Sequence, residues 1–363
     1  GVSSANSNAP IKWRVLDADK ANDGTTDGMF LLSEYSLASN VPFNDDVDKE
    51  NTYQGSDAQA WCSSFATNTS NFSTAEQNAM LGVAKTDRAE SDLFSGLYGG
   101  SYHVRAWGES SLTANDKLFF LSVREQADYV GNYNGAPELI VLSSTWDDNW
   151  WLRSPVDQFY SVGLVEYGSV ISEYTFFNRK TRPAFNVDLN AVLFTSAAVG
   201  GKIPAGGGAA DAIFEIGDHT GNEWKLTLLD NRRNFAVTET TASADPGETI
   251  TLHYNGATTG AKEYISVILA DNSGAQYYGR VAQPTEASGQ IQIKIPASLA
   301  DGTYSLYVFS EQYNGGTNDD TKLTDYASAF QTVTLTVDTT PPTLTAGEVN
   351  RTSDTFPPHR GNK

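Results

Sequence analysis

A glycine-rich run between residues 198 and 212 does most to constrain how this chain can fold. The run, AVGGKIPAGGGAADA, consists mainly of small residues and has no hydrophobic periodicity. Such a sequence is typical of a flexible linker or a long loop. The 363 residues also exceed the usual size of one domain. We therefore predict two domains, residues 1–197 and 213–338, joined by a linker over 198–212.

The segment after the linker has the pattern of an all-β domain. Short apolar runs alternate with clusters of Gly, Asp or Pro, which indicates a β-sandwich. Tyr304, close after Ala300, is typical of a tyrosine corner. The run at 223–230, EWKLTLLD, is similar to IKWRVLDA at 11–18, so it stays open whether residues 213–231 belong to the first or the second domain.

Two further regions complete the organisation. Residues 1–197 mix strand candidates with three short helices, each of which begins at a serine with a glutamine or glutamate three residues later: Ser56, Ser73 and Ser122. This mixture predicts an α+β domain. The two prolines at 341 and 342 stop a strand ladder, so we expect residues 339–363 to be a linker or the start of a truncated further module.

Charge and cysteine content exclude several functions. The chain has 44 acidic and 24 basic residues, a formal net charge of −20, which disfavours nucleic acid and direct insertion into an anionic membrane. The single cysteine, Cys62, excludes an intrachain disulfide and a cysteine-built zinc site. The aspartates between 17 and 27 do not have EF-hand spacing. We predict no metal site and no cofactor.

Six segments between Pro10 and Phe194 are distinctive in order and composition: PIKWRVLD, FLLSEYSL, SDAQAWC, FFLSVREQA, WWLRSP and RPAFNVDL. Together they resemble an uncharacterised bacterial extracellular domain family, a domain of unknown function that is common in surface proteins. Their order is similar to that of the C-type-lectin-like fold, in the variant shared with formylglycine-generating enzymes. The all-β region at residues 213–338 resembles the immunoglobulin-like modules that often follow such domains.

The resemblance implies an α+β C-type-lectin-like domain followed by an all-β immunoglobulin-like sandwich on the bacterial cell surface. It implies no activity. The calcium-binding signatures of true C-type lectins are missing from the chain. Formylglycine-generating enzymes depend on paired reactive cysteines, and Cys62 has no second cysteine to pair with.

One cluster combines aromatic and polar residues ahead of a strand candidate. Aromatic faces stack on sugar rings, and carboxylates and amides bind hydroxyl groups. The predicted ligand-binding residues are Trp146, Asp147, Asp148, Asn149 and Arg153. An arginine inside a strand is also typical of an internal salt bridge, and that alternative stays open for Arg153.

We predict no catalytic residue and no enzymatic activity. No serine elbow, zinc motif or phosphate-binding loop occurs, and Cys62 is expected to be an inert buried thiol. The predicted function is binding or adhesion to a glycan or to a host or cell-surface protein, by a monomeric piece of a secreted bacterial surface protein. Two alternatives stay open: a purely structural spacer, and a glycan hydrolase with paired carboxylates.

Overall fold

The computed structural model describes residues 1–3, 9–18, 27–91, 106–131, 149–156, 160–166, 169–204 and 212–338. Strands make up about half of the chain and helices about a tenth. The helices are all short, and they are α1 (Asp57–Thr67), α2 (Thr74–Ala79) and α3 (Val123–Glu125), followed by a π-helical turn (Gln126–Val130) and a 3₁₀ turn (Leu189–Ala191).

The strands of the first half are short and come from segments distant in sequence. They are β1 (Val2–Ser3), β2 (Ala9–Pro10), β3 (Trp13–Asp17), β4 (Gly28–Ser33), β5 (Ala38–Pro42), β6 (Met80–Leu81), β7 (Lys85–Asp87), β8 (Glu90–Ser91), β9 (Ala106–Trp107), β10 (Ser110–Leu112), β11 (Leu118–Phe120), β12 (Asn149–Pro155), β13 (Ser161–Glu166), β14 (Ser169–Tyr174), β15 (Asn178–Thr181) and β16 (Pro183–Asp188).

Two five-stranded sheets enclose the core of this first half. One has the order β11-β16-β4-β3, with β6 also paired to β16. The other has the order β14-β13-β12-β15-β5, in which β12 and β15 are parallel. The remaining strands form the pairs β1-β2, β7-β10 and β8-β9. Phe30, Phe120, Trp151 and Leu164 are buried in one shared core, so burial of the inner faces holds the sheets together.

The second half consists of longer strands. They are β17 (Val192–Ala197), β18 (Phe214–Glu215), β19 (Trp224–Leu229), β20 (Ala236–Val237), β21 (Thr241–Ala244), β22 (Thr249–Asn255), β23 (Glu263–Asp271), β24 (Gly274–Ala282), β25 (Ser288–Lys294), β26 (Gly302–Gln312), β27 (Asp325–Ala327) and β28 (Gln331–Val337). A nine-stranded sheet has the path β17-β19-β27-β26-β23-β24-β18, with β28 joined to β26 and β21 to β28. A three-stranded sheet has the order β20-β22-β25.

Alternation along these strands explains how the two sheets pack. In β22 and β28, buried and exposed residues alternate with the period of two that a strand imposes. The inward residues Ile250 and Leu252 of the small sheet share a core with Val267, Leu306 and others of the large sheet. By contrast, β23 is buried over six consecutive residues, as expected for a strand that is covered on both faces.

Strand β19 connects the two halves. It pairs with β17 on one side and runs parallel to β27 on the other. The side chain of Leu228 in β19 is buried in the core of the first half, and Leu226 packs against that core. Residues 213–231, whose place the sequence left open, therefore contribute both to the nine-stranded sheet and to the first core.

The predicted fold class, an α+β lectin-like domain followed by an all-β immunoglobulin-like sandwich, is wrong. The chain is mostly β with several sheets, and no α+β lectin-like pairing is present in the described residues. The capping serines do begin helices, but α2 has only six residues and α3 only three. The residues after those caps lack the apolar period of 3.6 that would extend an amphipathic helix.

Candidate functional site

The predicted ligand cluster is described only in part. Trp146, Asp147 and Asp148 lie outside the described residues. Asn149 is the first residue of β12 and is half-buried, whereas Arg153 lies further along the same strand and is completely buried. The described part of the cluster is therefore one strand end and one core arginine.

Arg153 is held by protein groups on two of its nitrogens. Its Nη1 donates to Glu125 Oε2 at 2.5 Å and to the Phe120 carbonyl at 2.7 Å, and its Nη2 donates to Asp87. Lys85 Nζ lies 2.8 Å from Glu125 Oε1 and 3.1 Å from Asp87 Oδ1. We call Lys85, Asp87, Glu125 and Arg153 the first charge cluster; its contacts join β7, α3 and β12.

The charge on Glu125 is stabilised within this cluster. Burial alone would raise its pKa, but the Arg153 and Lys85 cations outweigh burial and lower the pKa from 4.5 to about 2. The carboxylate also accepts from the Ser122 backbone N–H at 2.8 Å, which completes a capping box at the start of α3. These contacts form an internal salt bridge of the kind that the sequence left open as the alternative for Arg153.

An exposed aromatic turn is the strongest candidate for recognition. Tyr174, Phe176 and Phe177 lie at the turn between β14 and β15, and they are 49%, 37% and 42% exposed. The rings of Tyr174 and Phe176 are stacked, with centroids 5.5 Å apart and planes inclined by 16°. Phe177 contacts both of them, at 6.0 Å and 4.9 Å. Contiguous exposed aromatic area of this kind marks interaction sites.

Thr175 holds the turn in place. Its side chain is completely buried although its neighbours are exposed. Its backbone N–H donates to the Tyr160 carbonyl at 2.8 Å, and its carbonyl accepts from the backbone N–H groups of Phe43 and Asn44 at 2.9 and 3.1 Å. The three rings are thus carried on a fixed backbone, which lowers the entropic cost of binding a ligand.

Polar groups border the aromatic turn. Glu173 and Arg179 form an ion pair, and the Arg179 guanidinium lies 5.4 Å from the centre of the Phe177 ring. Arg179 Nη1 also donates to the Asn178 carbonyl at 3.0 Å. The turn therefore combines aromatic stacking area with a carboxylate and a guanidinium. This combination suits a ligand that has both C–H faces and hydroxyl groups.

Sequence reasoning missed this turn, although a signal was present. Residues 173–179, EYTFFNR, combine three aromatics with an acid and a base. In the sequence they resemble an ordinary aromatic strand, because strand cores are also rich in Phe and Tyr. Only the exposure of all three rings distinguishes the turn from a core.

The part of the chain that the structure describes also bears on three other features: a metal site, a reactive thiol and a membrane-spanning helix. No group of three or more His, Cys, Asp or Glu side chains there could hold a metal ion. Cys62 is buried in α1, and burial raises the pKa of its thiol well above the ordinary value. No helix among these residues is long and apolar enough to cross a membrane.

Comparison with known families agrees with the predicted resemblance at the coarse level. Residues 26–189 match a family described as "Domain of unknown function (DUF6273)", which confirms that this part of the chain resembles an uncharacterised domain family. No curated protein matches the chain. The matched range includes both the first charge cluster and the aromatic turn.

Proposed function

We propose that this chain is a non-catalytic recognition module of a secreted bacterial surface protein, and that it binds a glycan on the aromatic turn of Tyr174, Phe176 and Phe177. The observation that carries the proposal is the exposure of three rings in mutual contact on a backbone fixed by Thr175. The surface location rests on the family resemblance between Pro10 and Phe194.

The geometry favours a sugar over a purely apolar partner. The C–H faces of a pyranose ring stack on aromatic rings, and its hydroxyl groups take hydrogen bonds from flanking polar side chains. Glu173 and Arg179 lie at the border of the turn and can supply such bonds. A net charge of −20 repels polyanions, so we expect a neutral glycan.

The test is binding of soluble oligosaccharides of glucose, mannose and N-acetylglucosamine to the purified chain, measured by calorimetry. Replacement of one exposed ring, by Tyr174→Ala or Phe177→Ala, is expected to weaken binding about fivefold or more, because each ring supplies stacking area worth roughly 1 kcal/mol or more. The melting temperature should change little, because both rings are substantially exposed.

Tyr35→Ala is the matched control, since Tyr35 is 53% exposed and lies outside the turn. It should leave binding unchanged. Equal losses in Tyr35→Ala and Phe177→Ala would contradict a site at the turn. No binding to any of the three sugar classes would favour a structural spacer, and release of shortened sugars would favour a hydrolase.

A further inference from the structure

A second set of buried charges lies in and beside the nine-stranded sheet, which does not include the strands β14 and β15 of the aromatic turn. It consists of Lys202, Lys225, Glu311, Asp319 and Asp325, which we call the second charge cluster. Both lysines are at most 3% exposed and the three acids are 0% exposed. Burying five ionisable side chains costs several kcal/mol for each unpaired charge, so the contacts within this cluster require an explanation.

Lys202 directs its amine into the centre of this cluster. Its Nζ lies 2.7 Å from Asp325 Oδ2, 2.5 Å from Glu311 Oε1 and 2.7 Å from Thr227 Oγ1. The ring of Phe194 lies 4.6 Å from the same nitrogen. A primary amine is therefore fixed within one hydrogen bond of a carboxyl group, in a site closed to solvent.

The two carboxyl groups beside this amine have different surroundings. Glu311 Oε2 accepts from the hydroxyl groups of Ser266 and Tyr278, at 2.6 and 2.7 Å. Asp325 Oδ1 accepts from the Asn314 backbone N–H at 2.6 Å. A backbone N–H on one carboxyl oxygen stabilises the negative charge that develops there when a nucleophile attacks the carbon.

We propose that Lys202 and Asp325 join through an intramolecular amide bond, with Glu311 as the group that carries the protons. The bond forms between Lys202 Nζ and Asp325 Cγ, and the bond from Cγ to Oδ2 breaks. The oxygen Oδ1, held by the Asn314 N–H, becomes the carbonyl oxygen of the amide.

The step balances without any oxidant or further reactant. The lysine ammonium brings three protons to the site. Glu311 takes one of them, which frees the nitrogen lone pair for attack, and returns it to the departing Oδ2. A second ammonium proton follows by the same route, so Oδ2 leaves as water and the amide nitrogen keeps one proton. Glu311 ends as a carboxylate, as it began.

Proton transfer to Glu311 is the essential event. Burial lowers the pKa of Lys202, but the adjacent Glu311 and Asp325 carboxylates more than offset burial, and the pKa is raised. The amine therefore does not lose its proton to solvent and depends on a carboxylate inside the cluster. Once formed, a neutral amide replaces two buried charges and removes their desolvation penalty. Fixed contact between the reacting groups supplies the high effective concentration that amide formation requires.

Lys225 is the competing amine, and its contacts favour a supporting role. Its Nζ lies 2.6 Å from Asp319 Oδ1 and only 3.1 Å from Asp325 Oδ2. Asp319 is therefore the nearer carboxylate partner of Lys225. In this position the Lys225 cation stabilises the charge on Oδ2 of Asp325 while the bond to Cγ breaks.

The test is the intact mass of the purified wild-type chain under denaturing conditions. The proposal expects a mass lower than that of the sequence by one water molecule. Proteolysis should then yield one branched peptide that joins the segment around Lys202 to the segment around Asp325. A wild-type mass equal to the sequence mass would overturn the proposal, whatever the behaviour of any variant.

Variants assign the roles. Lys202→Arg, Asp325→Ala and Glu311→Gln should each have the full sequence mass, whereas Lys322→Arg, at an exposed lysine outside the cluster that pairs with Glu223, should keep the loss of one water. Thermal unfolding of each variant shows whether the fold persists. A branched peptide that starts from Lys225, or an undiminished loss of water in Glu311→Gln, would overturn the assignment of nucleophile or proton carrier.

Discussion

Glu125 offers a direct measure of what buried charge contributes to this fold. The Glu125→Gln substitution keeps the size of the side chain and removes its charge. It takes away one partner of Arg153 and one of Lys85, and it weakens the acceptor for the Ser122 N–H. Arg153, which is fully buried, is then left with Asp87 as its remaining carboxylate partner among the bonds described above.

The contribution of Glu125 to the free energy of unfolding follows from its pKa. A value of about 2 in the folded chain against an ordinary 4.5 corresponds to about 3 kcal/mol, at roughly 1.4 kcal/mol for each pH unit. Breaking a buried ion pair on one side costs about 3–5 kcal/mol, so the two arguments agree. Because the pKa is lower in the folded state, this contribution is fully present above pH 4.5 and is lost as the pH falls toward 2.

The assay is urea unfolding at neutral pH and at successively lower pH. Glu90→Gln is the matched control, because Glu90 pairs with Arg124 and their side chains are 23% and 39% exposed. The control should cost about 1 kcal/mol or less. Glu125→Gln should cost about 3 kcal/mol or more at neutral pH, and should flatten the fall in stability with acid. Equal costs for the two variants would refute the reasoning.

One labelling experiment and one substitution, with its control, test the packing of the core. Cys62 should resist alkylation by iodoacetamide in the folded chain and react after denaturation, because it is buried and its thiol pKa is raised; rapid labelling of folded protein would contradict this. Gly82→Ala should destabilise the chain by about 1–3 kcal/mol in thermal unfolding, because the added Cβ would lie 1.8 Å from the Ala114 carbonyl oxygen. Gly217→Ala, which meets no atom within 4 Å, should leave stability unchanged.

Local features of the fold could be predicted from the sequence. Ser73 and Ser122 form the capping boxes that their spacing indicated. The Tyr304 hydroxyl donates to the Ala300 carbonyl at 3.0 Å, as the tyrosine corner predicted. These contacts join residues three or four positions apart, so their geometry depends little on the rest of the chain. The order of strands in the sheets depends on pairing between distant segments, which local patterns do not encode.

The charge clusters could not be predicted for the same reason. Lys202 and Asp325 are 123 residues apart, and nothing beside either residue indicates the other. Composition gave no indication of these contacts for Lys202, which lies in the glycine-rich run that the sequence predicts to be a linker. Residues 198–204 of that run are described, and the Ala198 N–H donates to the Glu223 carbonyl at 3.0 Å. The domain boundaries themselves stay a prediction.

A chain with one cysteine cannot join distant strands by an intrachain disulfide. In this chain the two charge clusters join elements that are distant in sequence. The first joins β7, α3 and β12, and the second joins the turn after β17 to β19, β26 and β27. The two clusters should respond differently to acid. Protonation of Glu125 removes its attraction to Arg153, so the first cluster weakens as the pH approaches 2. The proposed amide between Lys202 and Asp325 does not titrate, so the link within the second cluster persists at low pH once the amide has formed.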